Sequence, residues 1–246
     1  MRNKIALSCL LLFWASRMAL AQNTLAGQID LQQIMASPQF SNSIQVILAM
    51  SLVSLIPFFL ISVTSFLRII IVFSLIRTAV GTQQVPPSSI IVGLAFFMTV
   101  FIMSPVWQET NTTAVEPYNQ GKISQAKAFE IGQLPLRKFM LKQIREKDLG
   151  LFVQFSKIPK PKTPDEIPLY VLVPSFMISE LKTSFQIGFI LFIPFIIIDL
   201  IVANILLSLG MFMLSPVMVS LPFKILLFVL VDGWNLISRG LLMSFR

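Results

Sequence analysis

The feature that most constrains this chain is a pair of long apolar runs near its C-terminal end, each with one charge near its middle. The runs cover residues 183–209 and 215–238, and the charges are Asp199 and Lys224. A charge at the centre of an apolar membrane helix costs at least about 2.5–3.5 kcal/mol. Because a short turn of Gly, Met, Ser and Pro residues joins the runs, we predict an antiparallel hairpin in which the two charges pair.

The spacing of the charges supports this pairing. The midpoint of the turn lies near Met211–Phe212, with Asp199 about 12 residues before it and Lys224 about 12 residues after it. At a rise of 1.5 Å per residue, each charge lies roughly 18 Å from the bend, well inside a span of about 30 Å. The simplest interpretation is a neutralising pair that stabilises the hairpin.

Composition limits the function classes. Of 246 residues, 55% are hydrophobic and 12% are charged, whereas soluble domains carry about 25% charged residues, so this is a membrane protein. The sequence has no His, and its one Cys, Cys9, lies in a predicted signal peptide. Disulfides, thiol catalysis and most hydrolase triads are therefore excluded from the mature chain, and we expect no cofactor and no metal. The net charge of +8 is not gathered on a basic helix, so we expect no nucleic-acid partner.

The N-terminus has the pattern of a secretory signal peptide at residues 1–21. Arg2 and Lys4 precede an apolar core of about a dozen residues, and an Ala-x-Ala site at Ala19–Ala21 predicts cleavage before Gln22. Cleavage implies a bacterial envelope protein whose mature N-terminus lies outside the cytoplasm. An uncleaved first membrane helix is the alternative.

The rest of the chain is predicted to be all-α, with four long hydrophobic helices in two kinked hairpins. A helical extracytoplasmic segment lies between the hairpins. The predicted segments are an N-terminal extracytoplasmic segment (22–43), a first hydrophobic hairpin (44–106), a polar helical segment on the periplasmic side (107–182) and a second hydrophobic hairpin with a Met-rich turn (183–246).

Glycine and proline predict where helices bend or end. Pro57, Pro194 and Pro222 interrupt apolar runs and are expected to kink them. Gly81, followed by a Pro-Pro pair, predicts a turn, and Gly150 predicts a helix stop in the polar segment.

Five further charges lie in or beside the apolar runs: Arg68, Arg77, Glu180, Lys182 and Asp232. Arg77 lies at a helix end, where a long cationic side chain commonly reaches the membrane surface. Arg68 has apolar residues on both sides, so it is expected to face protein, carbonyl groups or an acidic partner.

Two functional alternatives follow from the intramembrane charges. Asp199 and Asp232 could form the carboxylate dyad of an intramembrane aspartyl protease, but the hairpin spacing places Asp232 opposite Leu191 instead. Asp199 and Lys224 could also serve as relay groups in an ion or proton transporter subunit, and this remains the main alternative.

Two long motifs give the chain a specific resemblance. The first runs FLRIIIVFSLIRTAVGTQQVPPSS from residue 66, and the second runs ELKTSFQIGFILFIPFIIIDLIVANILLSLGMFMLSPVMVSLPFKILLFVLVDGW from residue 180. With the stretch between them, they make residues 44–240 resemble the FliP/SctR family of type III secretion export-gate subunits. The TQQVPP turn and the long signal peptide favour the flagellar branch.

The resemblance implies a non-enzymatic, pore-forming core subunit of the flagellar export gate, which conducts unfolded flagellar subunits across the inner membrane. It implies a homo-oligomer, expected to be a pentamer, with partners FliQ and FliR, with FliO during assembly, and with FlhA and FlhB in the export apparatus. It also implies a multi-pass inner-membrane location at the flagellar basal body. The assembled, ring-like helical complex would project to the periplasmic side.

The resemblance also assigns a role to the turn. In this family the Met-rich turn forms a gasket that seals the closed pore, and the matching positions are Met211, Phe212 and Met213. Phe212 departs from the more usual all-Met run, which predicts a stiffer seal at that position.

Overall fold

The structure is a computed structural model that describes residues 38–82, 84–158, 163 and 166–245. The predicted signal peptide and residues 22–37 lie outside the described residues, as does most of the Pro-rich linker at 159–165. Every regular element in the described residues is helical, which confirms the all-α prediction. The helices are α1 (Pro38–Val63), α2 (Phe66–Val80), α3 (Ser88–Thr110), α4 (Glu116–Asn119), α5 (Gln125–Gly132), α6 (Leu134–Gln143), α7 (Glu146–Phe155), α8 (Leu169–Ser208), α9 (Pro216–Leu230) and α10 (Gly233–Met243), with a π-helical turn at Asn111–Val115 between α3 and α4.

The described residues from Pro57 onward form one compact unit, and the part of α1 up to Ile56 belongs to a separate unit. At the centre of the larger unit, α2 packs along α8. A stripe on α2 with helical spacing is buried, consisting of Ile69, Val72, Phe73 and Ile76. Helices α3, α9 and α10 add Ile91, Phe228 and Ile237 to the same core.

Small residues on α8 allow the close approach of α2. Ser184 and Gly188 lie one turn apart and are both buried. A Cβ atom at position 188 would lie 2.3 Å from Cδ1 of Leu75, so any side chain there would displace that leucine. Small residues at a helix interface let two backbones come this close together.

A second core joins the polar segment to the first half of α8. Met140 of α6 packs with Ile167, Val171, Leu172 and Phe176. The α6 and α7 helices are amphipathic, as the spacing of their apolar residues predicts. This core buries part of their apolar faces.

Three helical stretches in the described residues are long and apolar enough to cross a membrane: Val46–Val63, Ser88–Asn119 and Leu169–Ser208. Helices α9 and α10 would together form a fourth span, bent by 61°. The 40-residue α8 runs without interruption from the predicted polar segment into the second hairpin, so the predicted boundary at residues 182–183 lies inside one helix.

Gly81 ends α2 as predicted, but the prolines inside the apolar runs do not end helices. Helices α1, α8 and α9 continue through Pro57, Pro194 and Pro222. The break between α1 and α2 follows Ser62 and Thr64, whose hydroxyls donate to the carbonyls of Phe58 and Leu60. Such side chains compete with helical backbone hydrogen bonds and bend helices.

The predicted helix stop at Gly150 is wrong. Gly150 lies inside α7, and no neighbouring atom lies within 4 Å of the place that a Cβ would occupy there. The break comes earlier, at Ile144–Arg145, where both residues have extended ψ angles of 138° and 135°. The backbone N–H of Arg145 donates to Ser179 Oγ at 3.1 Å, so a tertiary contact satisfies the group that the helix break exposes.

Candidate functional site

The hairpin formed by α8 and α9 brings Asp199 and Lys224 together. Lys224 Nζ donates to Asp199 Oδ2 at 2.6 Å, and Ser220 Oγ donates to Asp199 Oδ1 at 2.5 Å. Ser220 lies one turn before Lys224 on α9, so both donors reach the carboxylate from the same helix face. The Lys224 side chain is 5% exposed and that of Asp199 is 30% exposed. We call Asp199, Ser220 and Lys224 the hairpin brace.

The Met-rich turn lies at the end of this hairpin. Gly210 has φ of 74°, a left-handed conformation that ends α8. The N–H of Met211 then donates to Leu206 O at 2.9 Å, and α9 begins at Pro216, whose fixed φ suits a first helical position. The exposed fractions of Met211, Phe212 and Met213 are 43%, 77% and 100%.

A second ion pair lies deeper in the molecule. Arg68 on α2 donates from Nε to Glu180 Oε2 at 2.8 Å and from Nη2 to Glu180 Oε1. The two side chains are 3% and 0% exposed. This bidentate pair ties α2 to α8, and we call it the inner ion pair.

The sequence predicted that Arg68 could have an acidic partner but did not assign one. A usable signal was present, because Glu180 is the only acid between residues 169 and 198. An apolar run that admits one acid needs a cation to neutralise it. The choice among the available cations depended on the packing of α2 against α8, which the sequence does not display.

Asp148 forms a third ion pair, which the sequence pattern did not predict. Its buried carboxylate pairs with Lys182 of α8 and accepts a hydrogen bond from Ser179 Oγ at 2.9 Å. Burial raises the pKa of Asp148, but the hydrogen bonds from Lys182 and Ser179 and the charges of Lys182 and Arg145 outweigh it, so the pKa lies below its ordinary value. Arg145 also donates to Thr183 Oγ1 at 3.1 Å, so the start of α7 is fastened to α8.

The remaining predicted charges have local roles. Arg77 Nη1 donates to Ser88 Oγ at 3.0 Å and to Pro86 O at 3.4 Å, so its guanidinium closes the turn between α2 and α3. Asp232 is exposed at the bend between α9 and α10, where its φ is 51°. Since Asp199 has Lys224 and Ser220 as its partners, the hairpin does not pair it with Asp232.

The described residues carry large exposed apolar surfaces. On α8, Phe185, Phe189, Ile193 and Leu200 are exposed, and a groove of about 770 Å³ beside Gly188 has an apolar lining. Extended exposed apolar surfaces are typical of protein–protein or membrane contacts. Across the part of the chain that the structure describes, no cluster of three or more His, Cys, Asp or Glu residues could hold a metal ion.

Comparison with known proteins gives consistent matches over most of the chain. The model of the FliP family matches residues 49–241. The flagellar biosynthetic protein FliP of Bacillus subtilis is 51% identical over 205 residues, which cover 83% of this chain and 93% of the relative. The proteins of that name from Caulobacter vibrioides and Aquifex aeolicus are 47% and 46% identical, over 82% and 83% of this chain and 76% and 87% of the relatives.

Proposed function

The chain belongs to the FliP family, and from that premise we propose that it is a pore-forming core subunit of the flagellar type III export gate. As a flagellar biosynthesis protein it works in the export apparatus, and its long apolar helices make it a membrane protein. The finer proposal is that it conducts unfolded flagellar subunits across the inner membrane. Its role is mechanical and not catalytic.

The observation that carries the proposal is the exposed Met-rich turn at the end of a braced hairpin. Met213 is fully exposed although it is apolar, so the turn is suited to a contact that a single chain does not supply. Methionine is flexible and polarizable, and it packs irregular gaps well. Several copies of Met211, Phe212 and Met213 around one axis would form a deformable apolar constriction of the kind that closes pores.

The brace explains how such a turn would be held in place. Lys224 and Ser220 both grip one carboxylate, so sliding α9 along α8 would break two hydrogen bonds to a charged group. Charge-assisted hydrogen bonds are about twice as strong as neutral ones. We therefore assign the brace to positioning the gasket at the pore axis.

The exposed apolar faces support assembly with other subunits. We propose a homo-oligomer, a pentamer by family resemblance, with FliQ and FliR as partners. FliO would act during assembly, FlhA and FlhB would act in the export apparatus, and unfolded flagellar subunits would be the substrates. In the assembled gate, protein would cover much of the apolar surface, with the complex projecting to the periplasmic side. Irregular segments at membrane depth are tolerated where protein buries them.

Replacing Met211 and Met213 with Gly tests the gasket. We expect the closed gate to leak ions or small molecules, because the constriction loses its apolar bulk. Leakage is measured as ion flux, or as loss of membrane potential, in cells that express the whole gate. The matched control replaces both residues with Leu, which keeps the apolar volume and should keep the seal. Unchanged permeability in the Gly variant would contradict the gasket role.

An ion or proton transporter subunit is the alternative function. Among the acids that the structure describes, those that are buried or half-buried are Asp148, Glu180 and Asp199, and each is held in an ion pair. Paired acids favour a bracing role over a proton relay. Purification separates the two functions: a large complex with small hydrophobic partner subunits supports the gate, and a monomer or dimer that moves protons into liposomes supports the transporter.

A further inference from the structure

The guanidinium of Arg68 has hydrogen-bond partners in addition to Glu180, the acid that neutralises it. An arginine has five N–H donors, and Glu180 accepts two of them. Nη2 also donates to Gln143 Oε1 at 3.1 Å, and Nη1 donates to both the carbonyl oxygen of Ser244, at 3.1 Å, and its Oγ, at 3.0 Å. All five donors are satisfied, and the segment that follows α10 accepts two of them.

The same segment covers the face of the guanidinium. The ring of Phe245 lies 3.9 Å from Arg68 Cζ, in cation–π geometry. This ring also stacks on Phe139 of α6, with centroids 6.1 Å apart and planes at 20°. Ser244 Oγ donates to Leu241 O at 2.8 Å, which leaves the hydroxyl lone pairs free to accept from Arg68.

Without these two residues, Arg68 would have two unpaired N–H groups and an open face. A donor buried without a partner carries its full desolvation penalty, and the penalty is larger for a charged group. Docking of Ser244 and Phe245 therefore removes a penalty that the ion pair with Glu180 leaves in place. This stabilisation is present only while Ser244 and Phe245 contact Arg68, so these contacts hold α10 in place.

We propose that Ser244 and Phe245 form a clasp that holds α10 against α2 and α6 by completing the Arg68 site. At its other end, α10 is held where the ring of Trp234 meets that of Phe228 edge to face, with centroids 5.3 Å apart. The α10 helix is thus a strap that packs on the core through Ile237 and Leu241 and is fixed at the bend after α9 and at the clasp. Release of the clasp would loosen the distal half of the strap, which contains Leu241, and leave the bend in place.

Cysteine labelling of the strap tests the clasp in the whole chain, in its native membranes. Leu241 lies one turn before the clasp and is 2% exposed. Cys9 is the one cysteine in the sequence, so Leu241→Cys combined with Cys9→Ser gives a chain with a single, buried thiol. The rate at which a maleimide labels this thiol reports opening of the strap. Phe245→Ala should raise the labelling rate by about tenfold or more, the size expected when a contact to a buried charge is lost. Phe245→Trp, which keeps an aromatic face over the cation, should label like the parent.

The control is Met243→Ala, because Met243 lies beside the clasp but is exposed. The labelling rate of this variant should stay within about twofold of the parent, as for an ordinary surface change.

If Phe245→Ala does not accumulate in membranes, Phe245→Leu replaces it, since leucine restores apolar volume without the aromatic face and should still label faster than Phe245→Trp. Equal rates for the Leu and Trp variants, or equal effects of Met243→Ala and Phe245→Ala, would overturn the clasp. The labelling rate needs no export activity, so its outcome does not depend on the gate function.

Discussion

The inner ion pair and the hairpin brace both fasten α8 to another helix, but they differ in how fully the single chain buries the charged groups. Arg68 and Glu180 are 3% and 0% exposed, and every donor of the arginine has a partner within the chain. In the brace, Lys224 is 5% exposed but Asp199 is 30% exposed. The inner ion pair is buried and its donors are satisfied, whereas the hairpin brace leaves part of its carboxylate exposed beside an exposed apolar hairpin.

This difference separates the part of the molecule with saturated, buried charges from the part suited to partners. The region around α2, α6 and the first half of α8 has two buried cores and its own saturated charges. The second half of α8, the Met-rich turn and α9 expose long apolar surfaces. In the proposed gate, subunit contacts would cover the hairpin, and substitutions in the two regions should therefore differ in their effects.

The largest effect is expected for Glu180→Leu. The change leaves the Arg68 guanidinium buried without an anion, which typically costs about 3–5 kcal/mol. The measurement is the thermal midpoint, and the yield, of the detergent-purified complex. Combining Glu180→Leu with Arg68→Met removes both charges and should recover much of the loss.

Glu130→Leu is the matched control for that experiment. Glu130 forms an ion pair with Lys127 at 2.9 Å, but the two side chains are exposed. Exposed pairs contribute about 0–1 kcal/mol. If Glu130→Leu destabilises the complex as strongly as Glu180→Leu, burial is not what distinguishes the inner ion pair.

Lys224→Ala should have a smaller effect on folding, of about 1–3 kcal/mol, because Asp199 is partly exposed and keeps Ser220 as a donor. We expect a clear defect in assembly or export, measured by complex yield and by secretion of flagellar subunits. Asp232→Asn, at an exposed site after α9, is the control and should behave like the parent.

The brace also permits a rescue experiment. Changing both Asp199 and Lys224 to Leu removes the charges together and should restore assembly if their role is only to neutralise each other. Rescue of neither assembly nor export would contradict simple pairing. If Lys224→Ala lowered the stability of the complex as much as Glu180→Leu, neighbouring subunits would have to bury the brace completely.

The smallest effect is expected at Gly188, which lies on α8 between the two ion pairs. Gly188→Ala should destabilise by about 1 kcal/mol, the low end for overpacking, since the added Cβ meets only the side chain of Leu75, most closely at its flexible end. Gly150→Ala is the control: it adds a Cβ where nothing lies within 4 Å in α7 and should stabilise by about 0.5–1 kcal/mol. Thermal midpoints of the purified complexes give both values. A stabilising Gly188→Ala would contradict the close packing of α2 on α8.

Sequence spacing predicted the Asp199–Lys224 pair, which lies within one hairpin. Counting residues from the turn placed Asp199 and Lys224 at the same depth, because two antiparallel helices joined by a short turn have their register set by the turn itself. The same reasoning did not assign Glu180 to Arg68, which are separated by 112 residues. Several helix breaks lie between them, and at one of them a tertiary contact satisfies the exposed backbone N–H.

Helix ends show the same division. Gly81 and Gly210 both adopt positive φ angles, of 87° and 74°, as glycines at predicted turns should. Gly150 does not end its helix, because a helix tolerates an isolated glycine at a cost of about 1 kcal/mol. At the nearby break at Ile144–Arg145, the exposed N–H of Arg145 is satisfied by Ser179, 34 residues away along the chain.

By itself, the sequence determined the membrane class, the all-α fold, the family and the hairpin with its charge pair, because these depend on composition and on short-range helical geometry. Only the tertiary structure decided which buried charges meet across the molecule. The Arg68 site draws its partners from α6, α8 and the segment after α10, and side chains so distant in sequence come together only when the helices pack.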